Sequence, residues 1–284
     1  MQSNNPVFNR SEGFNGRGTT TATPTDPSQW HIDLNNQQAG YAPTTVGDRM
    51  TIDSVVQKTG MTLGLVVASA AVTWFLIGDM FDKDGFAQSG AVQKAFAFAM
   101  GGAIVGLVLS LVNSFKRVIS PALVLAYAVA EGVFVGAFSK VVASYVNDTS
   151  IVAQAVVGTM VAFGATLAAY KFFNIRVTDK FRKVVTISIF AFFGATIINF
   201  VLSMTGVINN GGIRGFNTLG LVVSAIAVVL AVFMLIMDFD FVERGIESGL
   251  PERESWRAAF GLTVTLIWLY IEILRILAIL RGQD

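Results

Sequence analysis

The chain has no cysteine and a single histidine, His31, among its 284 residues. Without thiols there are no disulfides, no thiolate metal sites and no cysteine nucleophile. The one histidine lies in a polar N-terminal stretch, so no intramembrane serine protease of the histidine-dependent kind fits. HExxH, the Walker-type loop and GxGxxG are missing as well, which removes the chemistries that rest on them. Charge is scarce: 14% of residues are Asp, Glu, Lys or Arg, against about 25% in an ordinary soluble domain. The net charge of +1 offers no footprint for nucleic acid. Catalysis would have to run on carboxylates, arginines and hydroxyls alone, so no enzyme and no cofactor is expected.

What is abundant is apolar surface. Hydrophobic residues make up 53% of the chain, and mean hydropathy is +0.61. Residues 1–50 differ from the rest, being rich in Asn, Gly, Thr, Gln and Pro. Such a stretch cannot bury enough apolar surface to offset its ordering entropy, and a disordered tail is expected there. It has no basic start leading into an apolar core, so it does not read as a signal peptide. From residue 51 onward the pattern is one seven-helix transmembrane domain. A helix needs about 20 apolar residues to cross about 30 Å of hydrocarbon. Runs of that length fall at 61–79, 95–115, 120–143, 150–170, 184–204, 217–238 and 258–280, joined by short connections. The fold class is therefore all-α, a polytopic membrane bundle.

Basic residues orient it. With the N-terminus cytoplasmic, twelve membrane-proximal Lys and Arg fall inside, among them Lys58, Lys116, Arg117, Arg182 and Arg257, and five outside, among them Lys140, Arg214 and Arg281. This places the C-terminus outside, in the cytoplasmic membrane of a cell. Small residues recur at four-residue spacing at Gly102 and Gly106, Gly132 and Gly136, and Gly158 and Ala162. That spacing lets helix backbones approach.

Four acids fall within or at the ends of apolar runs: Glu131, Asp238, Asp240 and Glu272. An ionised side chain at the bilayer centre costs about 2.5–3.5 kcal/mol on insertion scales, so such groups face the bundle interior and find partners. Glu272 and Arg275 are three apart on one helical face and can neutralise each other. Asp238 and Asp240 are two apart, about 200° around the axis, so one points inward if the other points out. Asp238 is the interior candidate, and Asp240 is expected at a solvated helix end. Glu131 has no basic neighbour on its own helix and reads as a protonated or cavity-facing carboxyl. Asn113, Gln154 and Asn199 read as interhelical hydrogen-bond donors and acceptors.

The ending MDFDFV of the sixth run and LYIEILRILAIL of the seventh resemble the Bax-inhibitor family of seven-span membrane proteins. SNNPVF and MTIDSVVQKTG resemble a bacterial branch with an extra polar N-terminal tail. The resemblance covers essentially the whole chain and implies a last helix enclosed by the other six. It also implies a pH-sensitive calcium leak gated by two hydrogen-bonded carboxyls, one on each of the last two helices. Those match Asp238, in MDFDF, and Glu272, in LYIE, where glutamate stands in place of the family's aspartate. Calcium, which prefers oxygen ligands, would pass by these carboxyls. The family's alternative arginine partner after the second span falls near Lys116 or Arg117. Two carboxyls in contact share a proton and titrate as a unit. Helix rise sets the two acids at different depths, Asp238 about 32 Å into its run and Glu272 about 12 Å from the end of the last. A second reading is a non-conducting regulator that binds membrane proteins or quality-control proteases through the tail and the charged segment FVERGIESGLPERESWR, otherwise a plain solvated connector.

Overall fold

The computed structural model describes residues 49–81, 87–173, 175–209 and 211–282. Of the expected tail, residues 1–50, residues 1–48 with His31 lie outside the described residues, while Met50 is buried and belongs to the folded bundle. In hydrocarbon a backbone must satisfy its own hydrogen bonds, and a helix does so within one segment. Seven helices follow: α1 Ile52–Ile77, α2 Ser89–Phe115, α3 Pro121–Tyr145, α4 Ser150–Phe172, α5 Asp179–Met204, α6 Thr218–Glu247 and α7 Ser255–Arg281. All seven are long and apolar enough to cross a bilayer. Their starts carry local signals. Thr51 and Ser54 form a reciprocal capping box on α1, Thr178 caps α5, Asn217 caps α6, and Pro121 opens α3. Each satisfies or removes amide donors that the first turn leaves free.

The seven expected runs fall on the seven helices, but α1 begins nine residues before its expected run, at Ile52, and α6 is longer than expected. It continues nine residues past Asp238, to Glu247, so its 30 residues span about 45 Å. The charged segment after it is folded rather than an open connector. Lys58 donates to the Glu252 carboxylate at 2.7 Å, Arg253 to the Ile119 carbonyl at 2.8 Å, and Met50 to the Leu250 carbonyl at 2.8 Å. These contacts gather the starts of α1, α3 and α7 and the end of α6 at one basic end of the bundle. Arg281, at the end of α7, pairs with Asp148 between α3 and α4 at the far end.

The last helix is the most buried, and its main neighbours are α6, α1, α4 and α3. α2 packs chiefly on α3, and α5 on α6. Glycine makes the α1–α3–α2 seam close. A Cβ on Gly102 would lie 2.7 Å from the Phe134 amide nitrogen, and one on Gly136 would strike the Ala70 backbone. Outward faces of α2 and α5 expose Phe96, Leu107, Ile187 and Phe190, as suits helices bathed in lipid.

Candidate functional site

Glu272 sits on α7 and is 1% exposed. Its carboxylate receives both arms of the Arg214 guanidinium, at 2.7 and 3.1 Å. Arg214 ends a short 3-10 turn, Gly212–Arg214, in the connection between α5 and α6. Arg275, 7% exposed, donates to the Arg214 carbonyl and, at 3.4 Å, to the Ser224 hydroxyl of α6. Phe192 lies under the Arg214 guanidinium and Phe216 under that of Arg275. Forked arginine–carboxylate pairs fix orientation as well as charge. The carboxylate is thus clamped from a loop, while its helical neighbour clamps the loop.

The sequence does not announce this. Arg214 reads there as one more loop charge, and the signal that could have found it is the string GGIRGF. Gly211 and Gly212 take φ of 75° and 57°, a region where a side chain is strained. They allow the chain to fold back onto α5. There Asn199 donates to the Gly211 carbonyl and accepts from the Ile213 amide, both at 3.0 Å. Asn199 therefore holds a connection, rather than a second helix, in place.

Asp238 is elsewhere. Its carboxylate accepts from the Thr265 hydroxyl at 2.6 Å, tying α6 to α7. Thr265 precedes Glu272 by seven residues, about 10 Å along the helix. The expected Asp238–Glu272 contact is not made: each carboxylate is taken by a different partner at a different depth. The separation follows from helix rise and from Thr265 and Arg214 lying closer at hand. Arg275 does not form an ion pair with Glu272 among the described residues, because it is committed to the Arg214 carbonyl and Ser224.

Two cavities open beside Asp238. One, of about 370 Å³, is lined by Arg182, Met234, Met237, Asp238 and Arg244. The other, of about 300 Å³, is lined by Asn113, Asp238, Phe241, Arg257 and Phe260. Lys116 and Arg117, offered as partners, line neither; Arg117 gives only its carbonyl, to Arg257 at 2.9 Å. Asp240 departs from expectation. It is 6% exposed and holds Arg182 at 2.7 Å and Arg244 at 3.0 Å. Because α6 runs on, Asp240 lies within the helix, and α5 covers the side it faces while α7 covers that of Asp238. Both acids are engaged.

Glu131 is partly buried on α3. A notch at Gly106 of α2 admits its carboxyl. Asn113 donates to the Leu123 carbonyl at 3.2 Å, tying α2 to α3. Gln154 accepts from Arg281 at 2.9 Å. Among the described residues no group of three or more His, Asp or Glu side chains is placed to hold a metal.

Seven apolar helices with acids and arginines turned inward define a multi-pass membrane protein. The family model described as Bax inhibitor 1 like matches residues 5–282, and the chain belongs to that family. No curated protein matches it.

Proposed function

We propose that this protein is a pH-sensitive calcium or cation leak of the cytoplasmic membrane, with its basic end facing the cytoplasm. The observation that carries the reading is Asp238. It is one carboxyl shared by two cavities at the basic end, and it is the α6 side of a hydrogen bond to Thr265 on α7. In this reading water and ions reach the carboxyl through these cavities, and oxygen is the ligand a hard cation prefers. Protonation changes the link. An ionised carboxylate accepts a charge-assisted bond from the Thr265 hydroxyl, whereas a neutral acid makes a weaker one and no longer attracts a cation. In this reading the sensor is the Asp238–Thr265 junction rather than a carboxyl pair, and Glu272 belongs to a separate closure at the far end.

The competing regulator reading draws no support from Glu252 and Glu254 of the segment 241–257, which pair with Lys58 and Arg257 of the chain itself. The deciding experiment is calcium flux from liposomes holding purified protein, stepped across pH. Flux that varies with pH, and loses that variation in Asp238→Asn, is the expected result. No flux at any pH overturns the leak, and an unchanged pH profile in Asp238→Asn overturns the sensor.

A further inference from the structure

We infer that the connection between α5 and α6 is a removable plug at the far end of the bundle, with Arg275 as the standby partner that lets it lift. The inference deepens the leak reading and rests on it. α5 ends at Met204 and α6 begins at Thr218, yet the connection does not arch away. Asn199, five residues before the end of α5, holds the Gly211 carbonyl and the Ile213 amide. The tip therefore lies about 7 Å below that end. From there Arg214 reaches Glu272, which is nine residues short of the end of α7, about 13 Å deep.

A carboxylate needing only neutralisation has Arg275 three residues away on its own face. Instead, Glu272 is bound by the loop, and Arg275 holds the loop's backbone and Ser224. Two guanidiniums and one carboxylate thus meet in one buried cluster. Removing a partner from a buried ion pair is costly when the remaining charge has nowhere to turn. Here it has somewhere. Once the loop rises, Arg275 loses the Arg214 carbonyl and can swing onto Glu272. The plug is therefore held by the Arg214 fork and by the bond of Arg275 to the Arg214 carbonyl, but pairing of Arg275 with an uncovered Glu272 lowers the cost of release by more than that one bond to a neutral carbonyl adds to it.

Neutralising the two arginines should then have opposite effects, which neither a purely structural salt bridge nor a simple positive barrier would produce. The absence of cysteine allows a direct readout. Ala227 is fully buried on α6, three residues beyond Ser224, and Ala227→Cys supplies the only thiol. Labelling of that thiol by a charged maleimide, with the protein in nanodiscs, should be about tenfold faster in Arg214→Gln than in the otherwise unchanged chain, because local opening is favoured. It should be slower in Arg275→Gln. Arg214→Lys, which keeps the charge but loses the fork, should fall between and serves if Arg214→Gln does not fold. Equal rates in Arg214→Gln or Arg214→Lys and the parent overturn the plug, as does acceleration by both neutralisations. Calcium flux in liposomes should follow the same order. Labelling that follows the order without any flux supports the plug while overturning the leak; flux without the labelling order does the reverse.

Discussion

Asp238 and Glu272 are both carboxylates in otherwise apolar helices, but one is held by a single hydroxyl and the other by a forked counter-ion. Glu272 is bound by a two-pronged guanidinium with the Phe192 ring beneath it, and is 1% exposed. Among the described residues Asp238 hydrogen-bonds a single hydroxyl, and it borders two cavities that Arg182, Arg244 and Arg257 also line. A buried charge with a geometrically matched counter-ion is held firmly, because separating the pair leaves an uncompensated charge in low dielectric. A carboxylate facing a neutral donor beside water can change its protonation or its partner at modest cost. Under the proposed leak, this difference puts closure at the far end and response at the basic end.

Breaking the far end should have the largest effect. Arg214→Met leaves Glu272 buried without its fork and should cost about 3–5 kcal/mol if Arg275 stays where it is, and less if it takes over. Thermal unfolding in detergent measures the loss. The double variant Arg214→Met with Glu272→Leu should recover most of it, since an apolar pair needs no desolvation. Next, Gly136→Leu on the α1–α3 seam forces a side chain into the Ala70 backbone. It should cost about 1–3 kcal/mol or more by overpacking, read as a lowered Tm with no change in the pH profile of flux.

The basic end should respond differently. Thr265→Val removes the hydroxyl from Asp238 and should cost only about 1 kcal/mol, because cavity water can replace it. It should nonetheless flatten the pH dependence of flux, as Asp238→Asn does. An effect on stability as large as that of Arg214→Met would erase the distinction between the two ends. The smallest change is expected from Glu254→Gln. Its partner Arg257 at 2.6 Å is partly exposed, and such pairs contribute about 0–1 kcal/mol.

Much of this fold was legible before any coordinates of its atoms. Each helix registered as an apolar run because hydrocarbon tolerates little else, and the small-residue spacings at Gly102, Gly132 and Gly136 marked the seams where backbones now touch. The end of α6 was misplaced because Asp238 and Asp240 looked like a boundary. Length and apolarity cannot distinguish a helix that ends in water from one that continues with its acids covered by α5 and α7. Glu131, Asp238 and Glu272 were recognisable as interior acids for the same reason that such acids are rare, whereas Asp240 reads from the sequence as a solvated helix end. The partners were not recognisable, since Arg214 stands 58 positions from Glu272 and Asp240 58 positions from Arg182.

The amino-acid sequence alone determined that the chain would cross a membrane seven times and carry carboxylates within the spans, because transfer into hydrocarbon depends on composition and length, which are local. Tertiary packing alone decided which cation or hydroxyl each carboxylate would meet. A hydrogen bond is specific over a few tenths of an ångström, and two glycines that fold a connection back onto α5 settle more of that geometry than any charge along the helices.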